Sequence, residues 1–115
     1  MLNRVILIGR LTKDPELKML GNNNPVCTFT MAVDRRFSKE TDFINIIVWG
    51  KAGENCANYL SKGKLAAIDG ELHIRTYETK DGRKATATEV VADNVRFLSP
   101  KNEAPSFGSD EGMPF

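Results

Sequence analysis

The sequence has few cysteines, few histidines and almost no net charge. Two cysteines, Cys27 and Cys56, are too few for a disulfide framework or a zinc site. The single His73 further restricts metal and acid–base chemistry. The apolar run near the start, Val5 to Ile8, is too short for a signal-peptide core or a membrane span. A formal charge of +1 argues against a polycation that coats nucleic acid by charge alone. We therefore expect a soluble cytoplasmic protein.

The composition is that of one globular domain with an acidic tail. The chain has 115 residues, of which 41% are hydrophobic and 27% are charged. Residues 101–115 contain one lysine and three acids, which leaves fifteen basic and twelve acidic residues in 1–100. After Pro100 no apolar periodicity remains. We expect a folded domain over 1–100, and a short disordered linker with an acidic tip over 101–115.

Alternation of apolar and polar residues predicts strands over most of the chain. Residues 12–25 are rich in turn formers and are interpreted as a loop, and Gly9 suggests a bulge or bend. The predicted elements are strands at 4–11, 27–34 and 42–49, a helix at 52–60, a strand at 64–77, a turn at 80–83, and a strand at 84–98 interrupted near 93–94. Three strands, a helix and a two-strand hairpin predict an all-β fold. Specifically, the order indicates a five-stranded OB barrel with one short helix between strands three and four.

Aromatic residues and cations share the outward face of this predicted sheet. Phe43 and Trp49 have the same parity on the third strand, opposite to that of the apolar Ile44, Ile46 and Val48. Tyr77 and Arg75 have the outward parity on the fourth strand, and Phe37 lies in a loop with Arg35 and Arg36. Rings that stack on bases and cations that follow phosphates bind single strands with little regard to sequence.

Other interpretations of these residues stay open at this stage. Trp49 could belong to the core, and Tyr77 could only close the hairpin. Cys27 and Cys56 fall on apolar faces and are interpreted as buried hydrophobes. A small hydrolase using His73 is a further hypothesis, but no nucleophile or metal cluster accompanies this residue. The chain also contains no glycine-rich phosphate loop, so an enzyme is not expected.

Several segments resemble the bacterial single-stranded DNA-binding protein family. The similarity covers residues 1 to about 100 and then reappears at the end of the sequence. It rests on Asn3–Leu11 with Asp14-Pro15-Glu16, Asp42–Lys51, Tyr59–Gly63, Thr88–Val95 and the closing Asp110–Phe115.

The resemblance implies an OB-fold domain that binds single-stranded DNA, a homotetramer, and neither catalysis nor a cofactor. The function implied is protection of single strands during DNA replication, recombination and repair, in the cytoplasm with the nucleoid. The alternative is an OB-fold paralogue that acts as a primosome-like or RNA-associated interaction module. By position, the stacking rings correspond to Phe37, Phe43, Trp49 and Tyr77. The phosphate contacts correspond to Arg35, Arg36, Lys51, Lys62 and Arg75.

The tip implies a second activity, the docking of replication and repair enzymes. The residues expected to carry it are Asp110, Glu111, Met113, Pro114 and Phe115. An aromatic ring at the end of the chain fills an apolar pocket, while neighbouring acids are attracted to basic rims. Two features depart from the family. The linker of nine residues reaches only about 17 Å as a flexible coil, and Gly112 and Met113 stand where an acid and Ile or Leu are commoner.

Overall fold

Six strands and one helix make up residues 1–99, the part of the chain that the computed structural model describes. The elements in chain order are β1 (Val5–Leu11), β2 (Glu16–Leu20), β3 (Asn24–Asp34), β4 (Thr41–Trp49), α1 (Gly50–Tyr59), β5 (Leu65–Glu78) and β6 (Lys84–Phe97). The expected tail, 101–115, lies outside the described residues.

Five of these strands close into a barrel. β1 pairs with β3, β3 pairs with β4, and β4 pairs in parallel with β6. β6 then pairs with β5, which returns to β1. The helix α1 lies between the third and fourth barrel strands, β4 and β5. This arrangement is an OB barrel, and the predicted fold class is confirmed.

The one strand outside the barrel is β2 (Glu16–Leu20). Its presence shows that the interpretation of residues 12–25 as a loop is wrong for this segment. β2 forms an antiparallel hairpin with the start of β3, and its side chains are exposed. The turn between them contains Gly21 and Asn23, both at positive φ. The turn formers on either side of this short segment dominate the sequence pattern. Leu17 and Met19 do alternate, but tertiary packing does not bury them.

The barrel interior is filled by the inward residues that the alternation predicts. Buried residues come from β1, β3, β4, β5, β6 and α1: Leu11, Cys27, Phe29, Met31, Ile46, Val48, Cys56, Ala66, Ile68, Val90 and Ala92. Gly9 lies where β1 passes close to β3, and a Cβ there would meet the carbonyl oxygen of Ala32. The pairing of β1 with β5 runs through Gly9 without a shift, so close approach, and not a bulge, requires the glycine.

The outer halves of β5 and β6 leave the barrel as a hairpin, which we call the arm (residues 71–89). The register shifts between Asp69 and Gly70, where Asp93 is left without a partner on β5. The strand β6 nevertheless runs from Lys84 to Phe97 without a break, so the predicted interruption near 93–94 is a one-residue bulge. Along β5 every residue from Glu71 to Glu78 is exposed, so this strand of the arm has no buried face. The arm turn, with Gly82 at φ 84°, is the predicted hairpin turn.

Candidate nucleic-acid interface

Strand β4 places two rings on the outer face of the barrel. Its inward residues, Ile46 and Val48, are fully buried, so the residues of opposite parity point outward. Phe43 is 68% exposed and Trp49 is 44% exposed. Trp49 is therefore not a core residue, and both rings present a surface to solvent.

A groove with a volume of about 260 Å³ lies on the same face, across β3, β4 and β6. In the register, Thr30 stands opposite Asn45, and Asn45 stands beside Glu89 on β6. The groove is lined by Lys13, Asp14, Glu16, Thr28, Phe29, Thr30, Asn45, Ile46, Ile47 and Glu89. The sequence pattern does not single out Asn45 or Glu89, although Asn45 has the outward parity of the two rings.

Phe37 lies at the tip of a short loop that ion pairs hold closed. Its side chain is 90% exposed, and the guanidinium carbon of Arg36 lies 5.0 Å from the ring centroid. The guanidinium of Arg35 contacts Glu40 Oε1 at 2.7 Å and Asp42 Oδ1 at 3.0 Å. Arg35 thus fixes the ends of the loop from which Phe37 projects.

The contact between Arg35 and Asp42 also shifts the pKa of both side chains. The hydrogen bond from Arg35 lowers the pKa of Asp42, and the same bond raises the pKa of Arg35. Both groups are therefore charged at neutral pH. The pair is lost only as pH falls through the lowered pKa of Asp42. Arg36, the other predicted phosphate contact in this loop, has no acidic partner among the contacts of residues 1–99.

The arm carries Tyr77 and Arg75 on the outer side. Arg75 donates from Nε and Nη2 to the two carboxylate oxygens of Glu89, at 3.3 and 3.0 Å. Its guanidinium carbon lies 5.8 Å from the Tyr77 ring centroid. Tyr77 remains exposed, so its ring presents a surface to solvent. Arg35 and Arg75, two of the five predicted phosphate contacts, are thus held by close carboxylate partners.

The two predicted lysines lie on either side of α1. Lys51 is in its first turn, largely exposed, with Nζ 3.6 Å from Glu54. Lys62 lies in the turn after the helix, and its backbone N–H donates to Asp14 Oδ1 at 2.9 Å. Since Asp14 lines the groove, this bond holds the Lys62 turn beside the groove end. Lys13 lines the groove itself and was not among the predicted cations.

The residues considered for catalysis do not form a site, because the two cysteines lie in the buried core and His73 lies on the exposed arm. Cys27 and Cys56 are fully buried, and burial raises their pKa to about 11 and about 12. Both thiols are therefore protonated at neutral pH, unlike a cysteine nucleophile. His73 contacts Glu71 at 3.1 Å on the exposed arm. Residues 1–99 contain no group of three potential metal ligands. Within the same range, no helix is long and apolar enough to cross a membrane.

A family model described as "Single-strand binding protein family" matches residues 2–98. The chain belongs to this family. Single-stranded DNA-binding protein 2 of Staphylococcus aureus is 57% identical over 107 residues, covering 89% of this chain and 76% of the relative. A single-stranded DNA-binding protein of Clostridium tetani is 57% identical over 110 residues, covering 91% and 76%. Single-stranded DNA-binding protein A of Bacillus subtilis is 50% identical over 119 residues, covering 97% and 69%.

These family members match the chain over the whole barrel, including the outer face that carries the rings and the groove. Membership confirms the resemblance recognised in the sequence. The predicted tip residues, 110–115, lie outside the described residues and outside the matched range.

Proposed function

We propose that the chain binds single-stranded DNA without strong sequence preference and protects it during replication, recombination and repair. The observation that carries the proposal is the exposure of Phe37, Phe43, Trp49 and Tyr77 on and around one barrel face. Such rings can stack only on bases that are not already stacked in a duplex. Family members named for single-stranded DNA binding support the same activity. We propose a binding role with no catalytic step, in the cytoplasm with the nucleoid.

Phosphate contacts are proposed for Arg36, Lys51 and Lys62, which lie at the edges of this face. Arg35 and Arg75 would reach phosphates only by exchanging a carboxylate for a phosphate oxygen. Such an exchange releases no counterion from the cation, since the acid already neutralises it. Stacking rings together with a few exposed cations at the edges of the face therefore suit residues 1–100, whose net charge is only modestly positive.

The single tryptophan provides a direct test of this proposal. Because Trp49 is the only tryptophan in the chain, its emission reports the outer face alone. Adding oligo-dT should quench the emission, while a duplex of equal length should leave it unchanged. Absence of quenching at low salt would contradict base stacking. Equal or tighter binding of structured RNA would favour the RNA-associated interaction module instead.

A homotetramer is also proposed, on the basis of the outer face of β1. Ile6 is 70% exposed and Ile8 is 57% exposed, side by side on one strand. Only Arg10 and Leu11 of β1 pair with β3, so β1 has an edge with no strand partner over 5–9 within the described residues. An apolar strand with an open edge is suited to cover by a second copy.

Charges placed on this strand should break the assembly. The double variant I6K/I8K is expected to lower the solution mass from that of a tetramer, because two buried charges would face each other. The matched control I6V/I8V keeps the surface apolar and should keep the wild-type mass. Light scattering distinguishes the two, and an unchanged mass in I6K/I8K would rule out this face.

We also propose that the two parts of the chain have different functions. Residues 1–100 would form the DNA-binding unit, and 101–115 the linker and docking tip. Asp110, Glu111, Met113, Pro114 and Phe115 would recruit replication and repair enzymes by the charge and apolar surface of their side chains.

A further inference from the structure

A row of polar side chains runs across four strands of the outer face, and three of them, Thr30, Asn45 and Glu89, line the groove. Thr30 on β3 stands opposite Asn45 on β4, and Asn45 stands beside Glu89 on β6. Glu89 in turn stands opposite His73 on β5. General binding of single strands needs rings and cations only, so this row is not explained by stacking or by phosphate contact.

Hydrogen bonds determine which groups in the middle of the row donate and which accept. Thr30 Oγ1 donates to Asn45 Oδ1 at 3.0 Å, which takes one of the two acceptor sites of the amide oxygen and orients the side chain. The Asn45 amino group makes no hydrogen bond within residues 1–99 and remains a donor. Glu89 accepts from Arg75 at both oxygens, but an ionised carboxylate has about four acceptor sites. The amino group of Asn45, a donor, thus lies on the strand next to the two carboxylate oxygens of Glu89, which are acceptors.

This order of groups complements guanine fully and thymine in part, because thymine presents the O4 acceptor and the N3–H donor in the same order but has no second donor beside them. The Watson–Crick edge of guanine presents the O6 acceptor followed by the N1–H and N2–H donors. Adenine presents a donor and then an acceptor, which would place its amino group against the Asn45 donor and its N1 against the Glu89 oxygens. Asn45 lies two residues from Phe43, about 7 Å along the strand. A base stacked on Phe43 can therefore extend its edge over Asn45 and Glu89.

We propose that Asn45 and Glu89 form a subsite that prefers guanine within the bound single strand. Asn45 donates to O6, and Glu89 accepts from N1–H and N2–H. The subsite adds a modest local preference to binding that is otherwise tolerant of sequence. It rests on the proposed function, since it requires a single strand on this face. Arg75 acts as a positioning residue, because it fixes the Glu89 carboxylate.

The test compares oligo-dA carrying isolated guanines with oligo-dA of the same length that carries none, because thymine in the background would itself match the donor and acceptor of the subsite. Both purines offer large rings for stacking, so the comparison isolates the base edge. The full chain is expected to bind the guanine oligonucleotide at least about tenfold more tightly, as for a charge-assisted hydrogen bond. Replacing guanine by hypoxanthine, which lacks only the N2 amino group, should remove a large part of that difference.

Two variants separate the subsite from the overall charge of the face. E89Q removes one acceptor and should bring the guanine-to-adenine affinity ratio close to one. E71Q makes the same charge change on the same side of β5, beside His73, and should keep the wild-type ratio. Equal affinities for the two oligonucleotides in the wild type would overturn the subsite. A ratio that E89Q leaves unchanged, or that E71Q lowers equally, would overturn it too.

The failure of the proposed function would look different. A chain without the proposed activity would bind neither oligonucleotide, and it would show no quenching of Trp49. A chain that binds both oligonucleotides equally retains the proposed function and lacks the subsite.

Discussion

The double variant F43A/W49A is expected to bind oligo-dT at least about thirtyfold more weakly than the wild type. Each stacked base contributes about 1–3 kcal/mol, so the loss of two rings removes about 2–6 kcal/mol of binding free energy. Both side chains lie outside the core, and the change should leave the barrel folded. Anisotropy of a labelled oligonucleotide measures the affinity, because the variant has no tryptophan.

The control for this variant is Y59A. It removes another exposed ring, which packs beside Phe97 at 6.0 Å between centroids and lies at the end of α1, outside the groove. Its affinity should match the wild type. An affinity of F43A/W49A within threefold of the wild type would contradict stacking on β4, provided that the urea unfolding curves of the variants agree.

Deleting Met113 to Phe115 is expected to abolish capture of replication or repair enzymes while leaving DNA affinity intact or raised. The deletion removes the apolar side chains that would fill a partner pocket, and it retains Asp110 and Glu111. Charge attraction alone gives weak, salt-dependent association. Pull-down of a helicase or polymerase, with parallel titration of oligo-dT, measures both effects.

A charge variant distinguishes the two parts of this segment. D110N/E111Q keeps the apolar residues and should weaken capture at low salt more than at high salt. F115A removes one ring and should weaken capture at any salt concentration. Capture that survives the Met113–Phe115 deletion would disprove the docking proposal.

Local alternation was sufficient to predict the outer-face rings. The period of a strand is two residues, so the parity of Phe43 and Trp49 against Ile46 and Val48 follows from the sequence alone. The arm turn and the irregularity near 93–94 were likewise predictable from neighbouring residues. The strand β2 was not predictable, because all of its side chains are exposed and the turn formers on either side dominate the sequence pattern.

The carboxylate partners of Arg35 and Arg75 depend on which strands pair and in which register. Local sequence patterns do not specify this. Arg35 and Asp42 are neighbours across one hairpin, so their contact could have been predicted from the register of β3 and β4. Arg75 and Glu89 meet only through the register of the arm. The pairing of Asn45 with Glu89 depends on the closure of the barrel by the parallel strands β4 and β6. No local pattern specifies such a closure.

The parallel ladder between β4 and β6 has a consequence for the newly made chain. β6 is the last of the described strands to leave the ribosome, and a parallel pairing needs the intervening helix and β5 in place first. A nascent chain that ends before β6 has the rings of β4 on an open sheet, with no Glu89 beside Asn45. The complete outer face, with Glu89 beside Asn45, therefore forms only after β6 has been synthesised.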